Sequence, residues 1–89
     1  HLILRRHPHE VAVDHLEREY IRSPCQMKVL HLKKFLSMKL GDTLSPVRLE
    51  VIIIASNTGI VLNEKLSLRD ICRHFWDGRS DLVLHYRKV

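Results

Sequence analysis

The sequence contains few of the residues that build covalent links, phosphate-binding loops or membrane spans. Its 89 residues include 2 Cys, and neither Cys25 nor Cys72 belongs to a C-x-x-C pair. That usage excludes a disulfide scaffold and indicates a reducing compartment. The 3 Gly are isolated, which excludes a glycine-rich phosphate loop. The longest apolar run, residues 51–55, is far shorter than the roughly 20 residues that span a bilayer, so we expect no membrane association.

Catalytic and metal-binding patterns are also missing. Of the 7 His, only His7, His9 and His15 lie close enough in sequence to share one loop. A zinc site needs four ligands, or three and a water, at tight spacing, whereas His31, His74 and His85 lie in separate predicted elements and neither Cys pairs with them in sequence. No acid is placed to orient a thiol–imidazole pair at Cys25, and neither predicted helix carries two carboxylates at helical spacing. We therefore expect no cofactor, no metal and no enzymatic activity in this domain.

The charge balance is basic but dispersed. Fifteen Lys and Arg against ten Asp and Glu give a net charge of +5. Most basic residues have acidic neighbours, which predicts a mixed-charge solvated surface. Exposed aromatic residues that could stack on bases are not interleaved with the densest basic cluster, formed by Lys28, Lys33, Lys34 and Lys39. Weak nucleic-acid binding by a basic surface remains an alternative function.

The length predicts one domain over residues 1–89, because two independent cores do not fit in so short a chain. An apolar fraction of 45% excludes a disordered tail. The chain starts at His1 without an initiating Met, and we interpret it as a fragment of a larger protein. No targeting segment is evident within it.

Hydrophobic periodicity predicts five strands and two helices. The clearest helix starts near Lys28, carries an apolar stripe at three- and four-residue steps, and ends at Gly41, which we expect in the left-handed conformation. A short second helix starts at Ser67, which forms a capping box with Asp70. We predict turns at 56–59, where Asn57 and Gly59 tolerate positive φ, and at 77–80. The strands are predicted at residues 2–6, 17–22, 49–55, 60–62 and 81–87.

This order of elements predicts an α+β fold of the β-grasp type. A mixed sheet of about five strands packs on one main helix, with the short second helix beside it. The first and last strands are expected to be central, parallel neighbours. Residues 17–22, which alternate in character, are expected at an edge of the sheet.

Three segments carry a resemblance to a known family: residues 20–23, 29–36 and 82–86. They resemble the RAWUL domain, a ubiquitin-like domain at the C-terminal end of Polycomb RING-finger proteins, and the similarity extends over essentially the whole chain. Residues 4–8 and 54–59 resemble the ligase-type RING subunit, whereas residues 29–36 and 82–87 resemble the Polycomb-group RING-finger (PCGF) subunit. We favour the ligase type. Two departures weaken the match: residues 41–47 form a short connection, and Lys28 stands where the family commonly has Thr.

The resemblance implies a non-catalytic, nuclear docking module of a larger RING-finger protein. In the ligase type it implies binding of chromobox C-box or RYBP-like segments by strand addition, in support of histone ubiquitination and gene silencing. In the PCGF type it implies binding of BCOR-like corepressors or polyhomeotic segments. Zinc is expected only in a RING domain elsewhere in the parent protein.

The predicted edge strand contains the candidate partner-binding residues, because an unpaired edge templates the addition of another strand. The candidates are Glu19, Tyr20, Ile21 and Arg22. Tyr20 and Ile21 supply apolar anchorage, although both could instead be ordinary core residues. Lys33 and Lys34 are expected on the outer face of the helix, either as a basic rim that speeds encounter with an acidic partner or as plain solvated surface.

Overall fold

The computed structural model describes residues 2–41, 48–55, 58–76, 78 and 81–89. Within these residues the chain forms seven elements that follow the predicted order. They are β1 (Leu2–Arg6), β2 (Tyr20–Ile21), α1 (Val29–Leu40), β3 (Leu49–Ala55), β4 (Thr58–Val61), α2 (Leu68–His74) and β5 (Leu82–Lys88).

The five strands form one mixed sheet in the order β2-β1-β5-β3-β4. β1 and β5 are parallel and central, as predicted, and the other neighbours are antiparallel. Parallel neighbours need a long crossover connection, and the chain between β1 and β5 supplies it. The architecture is the α+β ubiquitin-like β-grasp, with β2 and β4 at the two edges of the sheet.

The core lies between the sheet and α1. Val29, Leu32 and Leu36 are fully buried, so the apolar stripe of the helix faces the sheet as its spacing predicts. β5 alternates in the same way: Leu82, Leu84 and Tyr86 are buried on the core side of the sheet. Neither helix of the described residues is long and apolar enough to cross a bilayer.

The opposite face of the sheet also buries a small group of residues. Ile3 and Ile52 are buried there. His85 lies on the same face, where it pairs with Arg5 of β1 and with Ile52 of β3. The His85 Nδ1 atom is buried and has no hydrogen-bond partner among the described residues. Burial lowers the pKa of His85, and the nearby charges of His7 and Arg5 lower it further.

α1 begins without a side-chain cap, so its first amide groups bond to another part of the chain. The N–H of Val29 donates to the carbonyl of Leu66 (2.9 Å), and the N–H of Leu30 donates to the carbonyl of Glu64 (3.0 Å). These are two of the amides that a helix start leaves without an intrahelical partner. The segment before α2 therefore supplies the acceptors that α1 needs.

The first amide groups of α2 bond in the opposite direction, to carbonyls of the segment before α1. The N–H of Leu68 donates to the carbonyl of Met27 (2.8 Å), and the N–H of Arg69 donates to the carbonyl of Cys25 (3.0 Å). The two helix starts thus donate to each other's preceding segments. We call this arrangement the reciprocal cap.

Three side chains complete the helix starts. The predicted capping box of α2 is confirmed: the N–H of Asp70 donates to Ser67 Oγ (3.1 Å), and the N–H of Ser67 donates to Asp70 Oδ2 (3.0 Å). At α1 only one half of such a box forms, because Lys28 has no acceptor on its side chain. There the N–H of Lys28 donates to His31 Nδ1 (3.1 Å).

Two glycines differ from prediction. Gly41 ends α1 at φ 130° and ψ 145°, an extended mirror-image conformation that favours glycine, and not the left-handed helical one. Gly59 lies inside β4 and is not among the positive-φ glycines of the described chain. Its pairing with Ile54 continues the ladder, so no turn conformation is required there. Asn57 and most of the predicted turn at 77–80 lie outside the described residues, although Gly78 has φ 75°.

Candidate docking groove

Residues 7–19, which we call the strap, connect β1 to β2 without forming a helix or strand. Glu10 fixes the strap to the end of β5. It is a buried residue, with only 8% of its surface exposed. Glu10 Oε1 accepts the N–H of Ala12 (2.7 Å), and Glu10 Oε2 accepts the N–H of Lys88 (2.6 Å). One carboxylate therefore holds both the local turn of the strap and a strand that lies 78 residues away in sequence.

The pKa of Glu10 reflects this position. Burial by itself raises the pKa of the carboxyl group, but the amide donors around it act in the opposite direction and prevail. The N–H groups of Ala12 and Lys88 are the main donors, and they hold the pKa of Glu10 below the ordinary value of 4.5. The group is therefore ionised at neutral pH, where it accepts both bonds.

Two further contacts hold the middle of the strap. Tyr86 Oη donates to the carbonyl of Asp14 (2.7 Å), and Arg6 Nη1 donates to the carbonyl of Val13 (3.1 Å). Leu16 is buried against the core. Because these contacts keep the chain away from β1 until Glu19, the strap cannot extend the ladder.

The edge strand is consequently shorter than predicted. Residues 17–22 were expected to be extended and paired, but only Tyr20–Ile21 forms the strand β2. One additional bond, from the N–H of Leu4 to the carbonyl of Glu19 (2.8 Å), precedes it. Its edge position agrees with the prediction.

The register of β2 determines which backbone groups remain open. Since Leu4 bonds to Glu19, the alternation of antiparallel pairs places the next bonded pair at Leu2 and Ile21. Tyr20 lies between these bonded positions. Its N–H and C=O therefore point away from β1, toward the open edge of the sheet.

A groove of about 630 Å³ lies along this edge, between β2 with the strap on one side and the C-terminal half of α1 on the other. Its apolar residues are buried or partly buried: Leu16, Ile21, Phe35 and Leu40. Its charged and polar residues surround them and carry both signs: Asp14, His15, Glu17, Arg18, Arg22 and Lys39. An apolar floor with a mixed charged margin is the usual composition of a protein-binding surface.

Tyr20 and Lys39 are exposed residues on the two sides of the groove. Tyr20 is 68% exposed, and its Oη lies 3.4 Å from Asp81 Oδ2. Lys39 Nζ lies 5.9 Å from the centroid of the Phe35 ring, a cation–π distance that keeps the stem of the lysine over the apolar floor. An exposed tyrosine beside open backbone groups is a typical anchor for a bound segment.

The structure places three of the four site residues predicted on the edge strand at the groove and leaves Glu19 outside it. Tyr20, Ile21 and Arg22 line the groove. Ile21 also packs against the core, as the alternative interpretation of this residue expected. Glu19 forms an ion pair with Arg5 (Glu19 Oε1 to Arg5 Nε, 3.3 Å) and is not among the groove residues.

The prediction for the two lysines is half wrong. Lys34 is exposed, as expected for the outer face of α1. The side chain of Lys33 is only 13% exposed, and its Nζ lies 3.7 Å from Glu64 Oε2. Lys33 therefore faces the segment before α2, and neither lysine lines the groove.

Sequence reasoning missed the helix side and the strap side of the groove. Phe35 and Leu40 belong to the apolar stripe that was expected to face the core, and no role was assigned to Leu16, which directly precedes the strand predicted at residues 17–22. One signal was available: Phe35 and Lys39 are four residues apart on a helix, a spacing that brings an aromatic ring and a cation together.

No group of three or more His, Cys, Asp or Glu side chains with a metal-binding arrangement is present in the part of the chain that the structure describes. His7 and His9 are neighbours, with ring centroids 5.6 Å apart, but the Nδ1 of His7 accepts the backbone N–H of His9 (3.1 Å). That nitrogen is therefore occupied by a local hydrogen bond.

The β-grasp fold together with an open strand edge and an apolar groove defines a ubiquitin-like interaction domain, which is not catalytic. The family model of the RAWUL domain, described as RING finger- and WD40-associated ubiquitin-like, matches residues 19–87. Because the match covers well over half of the 89 residues, this chain belongs to the RAWUL family. RAWUL domains are protein–protein interaction modules of Polycomb-related proteins. Comparison with curated proteins finds no significant match.

Proposed function

We propose that this chain is the docking domain of a ligase-type Polycomb RING subunit, and that it binds a chromobox C-box or RYBP-like segment by strand addition at β2. The observation that carries the proposal is the position of Tyr20: its N–H and C=O face an open groove with an apolar floor. A bound segment gains backbone hydrogen bonds from Tyr20 and apolar contacts from the groove. In the nucleus this docking supports histone ubiquitination and gene silencing by the parent RING protein, whose RING domain carries the zinc.

The resemblance of residues 29–36 and 82–87 to the PCGF type supports an alternative partner, a BCOR-like or polyhomeotic segment. We expect either partner segment to occupy the same edge and groove. Titration with one labelled peptide of each kind separates the two. Preference for the chromobox peptide supports the ligase type, and preference for the corepressor peptide assigns the chain to the PCGF type.

Nucleic-acid binding by the basic surface receives less support from the structure. Of the basic cluster considered above, Lys33 is paired with Glu64 and Lys39 lies over Phe35. The two functions respond differently to salt, because phosphate contacts lose affinity steeply as salt rises. If DNA binds at low salt and neither peptide binds at any salt concentration, the docking proposal is wrong.

Tyr20→Ala tests the anchor directly. We expect a loss of about 10- to 30-fold in peptide affinity, the effect typical of an aromatic hot spot. Met38→Ala is the matched control, because Met38 is 67% exposed on α1 and does not line the groove. Equal affinities for the wild-type and Tyr20→Ala proteins, both folded by circular dichroism, contradict the assigned site.

Amide hydrogen exchange tests the strand addition itself. The Tyr20 N–H points to the open edge and is expected to exchange quickly in the free protein. A bound strand protects it, whereas a partner that only fills the groove with side chains leaves it unprotected. If the peptide binds and the Tyr20 N–H stays unprotected, the groove remains the assigned binding site but strand addition is refuted.

Comparing the association rates of the Lys39→Glu and Lys34→Glu variants tests the role of the charged residues around the groove. Both replacements change the net charge equally and both lie on α1, but only Lys39 lines the groove. For an acidic partner segment we expect the Lys39 variant to show the larger loss of association rate at low salt. Equal losses assign the charge effect to the helix as a whole.

A further inference from the structure

The second edge of the sheet differs in chemistry from the docking edge. β4 lies at the opposite end of the strand order, and residues 58–62 contain no charged side chain. Ile60 is 39% exposed and Val61 is 50% exposed, so two β-branched residues are adjacent on an open strand. Natural edge strands are usually protected by charges, proline or bulges, and the four residues of β4 include no charge and no proline.

The register of β4 identifies its open backbone groups. The N–H of Leu62 donates to the carbonyl of Val51 (2.8 Å), which makes Leu62 and Val51 a bonded pair. The alternation then places Ile60 in the next bonded pair, opposite Ile53. Gly59 and Val61 lie between the bonded positions, so their N–H and C=O groups point away from β3.

We propose that β4 pairs with β4 of a second copy of this chain, antiparallel and about a two-fold axis that passes between the two Ile60 residues. In this register Gly59 of each copy forms a bonded pair with Val61 of the other. The N–H and C=O of both residues are used, which gives four backbone hydrogen bonds between the copies. The five-stranded sheets then continue into one sheet of ten strands.

The side chains fit this register. Ile60 faces its own symmetry mate across the axis in a non-bonded pair, the closer of the two antiparallel pair types. Val61 stands opposite Gly59, which has no side chain to obstruct it. A Cβ built on Gly59 would lie 3.1 Å from Ile52 Cγ2, so an aliphatic methyl already borders the space above the glycine.

The charge of the chain favours a second copy at β4 over one at β2. Each copy carries +5, so self-association requires a contact free of like charges. β4 provides one, whereas the strap and β2 carry Arg18 and Arg22 beside the groove. Because β2 and β4 are opposite edges, the dimer leaves both docking grooves open. The contact is short, so the association is weak and must be measured at high concentration.

Sedimentation equilibrium of the 89-residue chain over a wide concentration range tests the proposal. We expect the wild-type mass to rise from one copy toward two and no further. Ile60→Lys and Ile60→Glu each place like charges across the axis and are expected to raise the dimer Kd at least about tenfold. An equimolar mixture of the two variants is expected to recover the dimer, because Lys then faces Glu. Met38→Lys is the control for an added charge at an exposed apolar residue.

Several results overturn the proposal. A wild-type mass that stays at one copy excludes the dimer, and a mass that rises without limit indicates β4 pairing with β2 of the next copy. If the mixture of Ile60 variants stays monomeric while circular dichroism shows both folded, Ile60 does not face its symmetry mate. If Tyr20→Lys dissociates the dimer and the Ile60 variants do not, the contact is at β2.

Discussion

Removing the Glu10 carboxylate is expected to loosen the strap and destabilise the whole domain. The residue is buried, and its two oxygens accept the N–H groups of Ala12 and Lys88 at 2.7 and 2.6 Å. Glu10→Ala deletes both acceptors. The amide of Lys88 then loses its partner at the end of β5, and the turn at Ala12 loses the bond that closes it.

The magnitude follows from the two bonds. A hydrogen bond to a charged group contributes about 1.5–3 kcal/mol, so the pair contributes about 3–6 kcal/mol. Water can reach both amides after truncation, because Ala12 and Lys88 are exposed, and we expect a net loss of about 2–4 kcal/mol. A domain of this length has a free energy of unfolding of about 4–13 kcal/mol, so the loss is a large fraction of the total.

Chemical denaturation followed by circular dichroism measures the effect. We expect a lower midpoint at an unchanged slope, and a melting temperature lower by about 10–25 °C. The lowered pKa of Glu10 adds a pH test: the unfolded chain binds the proton more readily, so the contribution of Glu10 is complete at neutral pH and is lost below about pH 4.5. The difference between wild type and Glu10→Ala should therefore shrink as the pH falls through the folded-state pKa.

Glu17→Ala is the matched control, because it removes the same charge from an exposed position in the strap. We expect its free energy of unfolding to change by less than about 0.5 kcal/mol. If Glu10→Ala is as stable as Glu17→Ala, the two short bonds of Glu10 do not hold the strap, and the account of the short β2 strand given above fails with them.

Substitutions at three other positions probe separate features. Ser67→Ala removes the confirmed cap of α2 and should cost about 1 kcal/mol in denaturant unfolding, whereas Ser67→Asp, which also accepts the amide of residue 70, should retain most of the stability. Tyr86→Phe keeps the buried ring but loses the bond to the carbonyl of Asp14, so we expect a loss of about 0.5–1.5 kcal/mol and faster amide exchange within the strap. The pKa of His85 is lowered by burial, so the unfolded chain takes up the proton first and stability should fall as the pH drops below about 6.5. His85→Gln should remove that part of the pH dependence, and an unchanged pH profile would contradict the assignment.

Local patterns in the sequence were sufficient for most of the fold. The apolar spacing of α1, the alternation of β5 and the Ser67–Asp70 cap are each encoded within a few neighbouring residues, and each is confirmed. The parallel pairing of β1 with β5 followed from the order of elements and the connection rules.

The groove was less predictable because its shape depends on contacts between distant residues. Nothing near Glu10 in the sequence identifies Lys88 as its partner, and nothing near Lys33 identifies Glu64. The length of β2 depends on the strap, which in turn depends on the bond between Glu10 and the N–H of Lys88. Tyr20 was accessible to sequence reasoning because alternation in an edge strand is a local property.

The reciprocal cap makes the two helices dependent on one another. Each helix start lacks acceptors until the segment before the other helix is in place, and some forty residues separate the two segments in sequence. A chain divided between Gly41 and Arg48 would give one fragment with α1 and another with α2, each with unsatisfied amides at its helix start. Such fragments should be largely unstructured alone and gain helix only when mixed, which makes this domain a natural candidate for a split reporter of assembly.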